Sequence, residues 1–357
     1  MTEWSFRMRK NLMETYPRVF SRSVERSDPH LYAKTTPENV YQPAIKQNRP
    51  LFRYIMRDLM LPGSGIEGYE NLRQLHELAA QGKSTLILSA HFSNFDVPAL
   101  YYLLDRYGEE GRRLFESIVF IAGRKLTEGE REVKAMAEMF NRIVISAKAQ
   151  NMTPEEIQVA MAINKASQKA IGTMQNEGKM FLLYPTGTRS RLYDERSHHG
   201  IREIYNYIRK FDYILCCGIS GLILPARDDV PMTGEYPRKD VVKYAFGQVY
   251  KTEDYLQKTE ASITDAEIDR KQFVVDRVMD EIYALGFDPR RVTPFVMIKY
   301  NPYAIAALNA YRNMLDGVGS GFTTLKTAVV TQIVAKITLP VIERTRSFRE
   351  ALKNLFN

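Results

Sequence analysis

Runs of apolar residues too short for a helix recur along the middle of this chain, and between them apolar positions return every three or four residues. The runs at 84–89, 118–122, 142–146, 180–184 and 213–219 predict buried strands. A longer mixed stretch at 239–250 predicts one more. The helical spacing covers 51–61, with Leu51, Tyr54, Ile55 and Leu59 together and Pro62-Gly63 as its end. It covers 71–80, with Leu72, Leu75, Leu78 and Ala79 on one side and Gln81-Gly82 as the stop. Further helices are expected at 95–107 and at 265–285, the second starting from a Thr264 cap.

The helix after residue 153 has the plainest start. Thr153-Pro154-Glu155-Glu156 offers a capping threonine, proline at the first helical position and a glutamate three residues past the cap. Ile157, Met161, Ile171 and Met174 fall near one face, and Gly178 ends the element.

Strands alternating with helices make an α/β chain, a mixed sheet flanked by helices. Residues 1–80 show no strong strand signal, so they are expected to form a helical N-terminal domain. Residues 81–300 then form the α/β domain. Residues 301–357 are read as C-terminal helices packing on the core or on a membrane surface, with a glycine-rich joint at 317–321.

Composition narrows the function classes. The chain has 357 residues, 45% of them hydrophobic and 26% charged, enough for a large core without disulfide or metal support. Its two cysteines, Cys216 and Cys217, are adjacent, so no disulfide framework is implied and a reducing compartment suits them. With two cysteines and five histidines, a structural zinc site has too few ligands. The basic N-terminus is followed by no apolar run, so it is not read as a secretory signal. The closest approach to a span, 325–342, is broken by Lys326, Lys336, threonines and Pro340 and reads as an amphipathic helix. The net charge of +8 favours acidic partners: phosphates, an anionic lipid surface, an acidic protein or nucleic acid. No nucleic-acid module is recognisable, so nucleic acid is set aside.

The chemistry-bearing residues fall at strand ends, where α/β sheets bind ligands. Ala90-His91-Phe92-Ser93-Asn94-Phe95-Asp96 places a histidine after the first central strand and an aspartate five positions on. The imidazole can take a hydroxyl proton while the carboxylate fixes its tautomer. Ser93-x-x-Asp96 also fits a capping box, in which Asp96 serves only the helix start. Tyr184-Pro185-Thr186-Gly187-Thr188-Arg189-Ser190-Arg191 follows another strand. Gly187 permits a tight turn there, and Arg189 and Arg191 are candidate forks for phosphate; a solvated basic loop is the plainer reading. Gly123-Arg124-Lys125 and Lys148 put further cations at strand ends, and Leu224-Pro225 follows the strand at 213–219. His198-His199 lacks a ligand cluster and is read as a solvated loop, and the glycines at 317–321 lack the Gly-Lys-Ser/Thr ending of a phosphate loop.

The order of these blocks over residues 84–230 resembles the glycerolipid acyltransferase family. The helical segment ahead of them is similar to the soluble glycerol-3-phosphate acyltransferases of plastids, which lack membrane spans. The resemblance implies His91 and Asp96 as the catalytic pair. It implies Arg189, Arg191 and Lys148 as phosphate ligands, with Arg124 and Lys125 as helpers, and Pro225 as a shaper of the acyl site. Backbone N–H groups around Gly187 and Thr188 are candidate oxyanion donors. Two positions depart from the family pattern. Ala149 stands where the plastid enzymes carry a phosphate-binding histidine. Thr186 stands where many membrane-bound relatives carry glutamate and the plastid enzymes serine, which tilts the reading toward glycerol 3-phosphate itself.

The implied reaction is glycerol 3-phosphate acylation, with acyl carrier protein or coenzyme A thioesters as co-substrates and no bound cofactor or metal. A cytoplasmic enzyme (stromal in a plant) is expected, docking transiently on an anionic bilayer, with residues 325–337 as a candidate contact. The alternatives are acylation of 1-acylglycerol 3-phosphate and a lipid-binding protein without turnover. A thioesterase or lipase would need a Gly-x-Ser-x-Gly elbow, which is absent.

Overall fold

Thr85-Leu86-Ile87-Leu88-Ser89 is buried at every position, as a strand covered on both faces must be. It forms the middle of an eight-stranded sheet in the computed structural model, which describes residues 10–28, 30, 33–146, 152–191, 194–227, 230–265 and 267–291. In chain order the strands are β1 (Tyr41–Gln42), β2 (Gly65–Glu67), β3 (Thr85–Ser89), β4 (Ile118–Gly123), β5 (Arg142–Ile145), β6 (Met180–Leu183), β7 (Tyr213–Ser220) and β8 (Lys243–Lys251). The helices are α1 (Leu12–Thr15), α2 (Pro17–Arg26), α3 (Arg49–Leu59), α4 (Tyr69–Ala80), α5 (Asp96–Asp105), α6 (Gly108–Ser117), α7 (Lys125–Glu128), α8 (Arg131–Ala137), α9 (Pro154–Gln175), α10 (Ile204–Ile208), α11 (Thr252–Ala261) and α12 (Arg270–Ala284).

The spatial order is β1-β5-β4-β6-β3-β7-β8-β2. Five neighbouring strands, β5, β4, β6, β3 and β7, run parallel. β1 and β8 pair antiparallel with β5 and β7, so the sheet is mixed as the sequence predicts. All five parallel strands therefore end on one edge. His91 follows β3, Tyr184 follows β6 and Arg124 follows β4, so the topology gathers the motifs there.

Residues 10–80 supply four helices, two of them at the segments expected, but also two strands the hydrophobic pattern does not reveal. β1 pairs with β5 at one border of the sheet and β2 with β8 at the other. The segment read as a separate helical domain thus shares the sheet of the α/β region. The chain divides into two units: residues up to Arg189 together with His199–Phe287, and Ser190–His198 together with the chain from Asp288 on.

Several element ends move against expectation. α12 begins at Arg270, because Asp269, not Thr264, caps it: the Asp269 carboxylate accepts the N–H groups of Lys271 (2.9 Å) and Gln272 (3.1 Å). The segment 95–107 ends as helix at Asp105, and a left-handed Gly108 (φ 69°) lets α6 start directly afterwards. On α9 the buried face is Ala160, Ile163, Ser167, Ile171 and Met174, while Ile157 and Met161 are exposed. The capping box at its start forms as expected. Glu156 N–H donates to Thr153 Oγ1 at 3.2 Å, and Thr153 N–H to Glu156 Oε2 at 2.8 Å. Thr153→Ala is expected to lower stability by about 1 kcal/mol in urea denaturation, leaving the slope of the transition unchanged.

Among the described residues no helix is long and apolar enough to cross a membrane. The expected C-terminal helices, the amphipathic stretch at 325–342 and the joint at 317–321 lie outside the described residues.

Candidate active site

β3 is the centre of the sheet, and the chain leaving it cannot continue as strand because Asp96 collects its backbone. Asp96 Oδ2 accepts the N–H groups of Phe92 (2.8 Å) and Ser93 (3.0 Å), while Ser93 Oγ accepts the N–H of Phe95 (2.9 Å). The same oxygen lies 2.9 Å from His91 Nδ1. Asp96 thus closes the turn into α5 and also engages the imidazole, while the N-cap of α5 is Phe95 and not Ser93. An ionised carboxylate only accepts, so Nδ1 carries the proton and Nε2 presents the lone pair.

The imidazole is fixed in a second direction. Its ring stacks on Tyr184, centroids 3.9 Å apart with the planes at 13°. Tyr184 is the first residue after β6, the strand beside β3. From the other side, the Tyr244 hydroxyl on β8 donates to the Asp96 carbonyl at 2.6 Å. Asp96 is 5% exposed, whereas the His91 side chain keeps 20% of its surface. The imidazole can thus meet a ligand while its partner stays dry.

Burial, and after it the charge of Asp96, push the Tyr184 and Tyr244 hydroxyls well above the ordinary tyrosine range. Burial also raises the Cys217 thiol to about 12; a hydrogen bond from Ser89 opposes this and the Asp96 charge adds to it. Such a thiol stays protonated at neutral pH and is no nucleophile.

The loop after β6 is a tight turn. Gly187 sits at φ 64°, and its N–H donates to the Tyr184 carbonyl at 3.0 Å. The buried Thr186 hydroxyl donates to the Thr188 carbonyl at 2.5 Å. This corrects one expectation: the Gly187 N–H is spent on closing the turn and is not held out to an oxyanion.

Arg189 leaves this turn five residues after Tyr184, so their Cα atoms are at most about 18 Å apart. Its Nη1 donates to Glu235 Oε1 at 2.6 Å. Glu235 is wholly buried and carries no motif to mark it in the sequence. Arg191 belongs to the second unit. There its N–H donates to Ser197 Oγ (2.8 Å), and its carbonyl is 2.7 Å from His198 Nε2. His198 is buried, contrary to the solvated loop expected, and His199 is exposed.

Of the remaining cations, Arg124 closes a fork on Glu128, Nε to Oε1 and Nη2 to Oε2, both at 3.0 Å. Burial opposes ionisation of Glu128, but Arg124 and the Thr35 N–H outweigh it and hold that carboxyl below its usual range. Arg124 is thus engaged within the protein rather than held out for phosphate. Lys125 is exposed at the start of α7. Lys148 lies outside the described residues. Pro225 is partly buried and follows the buried run Leu222-Ile223-Leu224. A wide cleft lined by Lys83, Arg209, Asp212 and Lys251 lies at the opposite edge of the sheet and has no part in the His91 arrangement.

Residues 65–213 match the model of the Acyltransferase family. The matched stretch runs from the first residue of β2 to the first of β7 and holds His91, Asp96, Gly187 and Arg189. It supports acyl transfer in lipid synthesis as the general chemistry, with an acyl donor and an acceptor as substrates. Glu235, Tyr244 and Pro225 fall beyond it. No curated protein matches the chain.

Proposed function

We propose that this chain acylates glycerol 3-phosphate, taking a fatty acyl group from a thioester of acyl carrier protein or coenzyme A. The observation that carries the reading is His91, held by Asp96 at Nδ1 and by Tyr184 across its face, with Nε2 left as the base. The loop that supplies Tyr184 also delivers Arg189, so the base and a phosphate-gripping cation share one short tether.

In this mechanism Arg189, with Lys148 and Lys125, binds the phosphate and sets the glycerol hydroxyl against His91 Nε2. Nε2 takes the hydroxyl proton as the oxygen forms its bond to the thioester carbonyl carbon. Asp96 stabilises the imidazolium. The tetrahedral intermediate collapses, the carbon–sulfur bond breaks, and the departing thiolate recovers the proton from His91. No residue is acylated, which agrees with the high pKa of Cys217. No bound cofactor or metal enters.

The net charge of +8 suits both donors, which bear phosphates, and the acidic carrier protein. It also suits a cytoplasmic enzyme that docks briefly on an anionic bilayer to deliver its product.

The test is purified protein with acyl carrier protein and coenzyme A thioesters in competition, glycerol 3-phosphate and its 1-acyl derivative both offered, and products read by mass spectrometry. Monoacylated product from glycerol 3-phosphate supports the reading. Diacylated product alone transfers it to the second acylation, and saturable binding without product refutes turnover. Arg189→Ala is expected to raise the acceptor KM by about ten- to a hundredfold, with a smaller effect on kcat and none on the donor KM.

A further inference from the structure

We infer that Glu235 is a positioning residue for Arg189: a buried carboxylate that aims the guanidinium at the acceptor's phosphate. This rests on the acyltransferase reading above and adds a residue that the matched family stretch does not contain.

Three observations support it. The contact is a charged hydrogen bond of 2.6 Å, and its acceptor is 0% exposed while the Arg189 side chain keeps 17% of its surface. The buried end is thus the carboxylate and the partly open end the guanidinium, the polarity expected of an arginine held from behind. Glu235 is also fixed by its own backbone. Its N–H donates to the Met232 carbonyl at 3.0 Å, and its carbonyl accepts the Leu12 N–H at 2.7 Å. Finally, the Arg227 N–H donates to the same Oε1 at 3.2 Å, so that oxygen is held by two donors.

These features separate a positioning role from a gate. A carboxylate that blocked Arg189 until substrate arrived would have to swing into solvent. Glu235 is wholly enclosed and its main chain is bonded on both sides, so it has no exit. Its permanence matters for the acceptor. An arginine side chain on a loop samples many rotamers, and holding one of them lowers the entropy lost when phosphate binds. Another acid whose charge is felt by Arg189, Glu130, is of a different kind. Burial, and then the charge of Glu132, raise its pKa, while a Thr233 hydrogen bond and Arg189 oppose them. Glu235, by contrast, bonds directly to Arg189 Nη1.

Kinetics on Glu235→Gln and Arg189→Ala, singly and together, test the inference, with melting curves recorded for each. Glu235→Gln keeps the shape and drops the charge. It is expected to raise the glycerol 3-phosphate KM about tenfold with kcat and the donor KM changed less than about twofold. Glu235→Asp keeps the charge and is expected to recover part of the loss. Added to Arg189→Ala, Glu235→Gln should raise KM no further, since the carboxylate acts through the arginine. A lower melting temperature with an unchanged acceptor KM would make Glu235 purely structural and overturn the inference. An additional KM rise in the double variant would do the same. If Glu235→Gln fails to fold, the double variant removes both charges together and still reports whether the effects merge. An Arg189→Ala enzyme with normal acceptor KM would instead remove the reading on which the inference stands.

Discussion

Replacing His91 by alanine is expected to lower kcat by about a thousandfold or more, with the acceptor KM close to that of the parent protein. The size follows from what the residue does. Nε2 is the proton acceptor of the proposed mechanism, and the candidate alternatives beside it are disabled. The Cys217 thiol is held at about 12, and the Tyr184 and Tyr244 hydroxyls well above their ordinary range, first of all by burial. None of these can take the proton at neutral pH. The fold should survive, because the side chain is at the surface of the core and its main packing loss is the stack on Tyr184. Such an aromatic contact is worth about 1 kcal/mol, against typical domain stabilities of about 5–15 kcal/mol. The decisive measurement is single-turnover acyl transfer beside circular dichroism and a calorimetric titration with glycerol 3-phosphate. Retention of most of the activity with a native spectrum would rule out His91 as the base.

That a strand ends in this histidine was legible from residue types alone, and so was its aspartate. Continuous apolar runs too short for a helix, such as Thr85–Ser89, read as strands covered on both faces, and five such runs became the five parallel strands. The sheet's borders were not legible. β1 is Tyr41-Gln42 and β2 is Gly65-Ile66-Glu67, too short for any periodicity. They are strands because Ile143 and Tyr244 of existing strands lie opposite them, which is a property of the fold. Helix faces were misplaced for a related reason. Ile157 and Met161 are apolar and helically spaced, yet α9 turns Ala160 and Ile163 to the sheet, since close packing selects position before hydrophobicity. Glu235 was invisible because an ion pair with Arg189, 46 residues away, has no local signature.

Gly221→Ala is expected to cost about 3 kcal/mol or more, and to injure the site through the sheet rather than by touching it. Gly221 directly follows β7 at φ 82°, in the left-handed region that a side chain makes unfavourable by about 1–2 kcal/mol. A Cβ there would also lie 1.9 Å from the Val241 carbonyl oxygen and 3.1 Å from the Val242 Cα. Those are main-chain atoms at the entry to β8, and no rotamer change relieves them. Gly82 separates the two contributions. It has nearly the same φ, 81°, but a Cβ added there would meet no atom within 4 Å, so Gly82→Ala should show the conformational cost alone. The excess of Gly221→Ala over Gly82→Ala in urea denaturation then measures the collision. The functional consequence runs along β8. Moving Val241 and Val242 away from residue 221 shifts the strand that carries Tyr244, whose hydroxyl holds the Asp96 carbonyl at 2.6 Å. Whatever fraction of Gly221→Ala remains folded should therefore show a lower kcat. Gly82→Ala, at the opposite edge of the sheet, should keep the parent rate. Equal destabilisation by both substitutions would show that Val241 yields freely, and the link from β7 through β8 to Asp96 would fail.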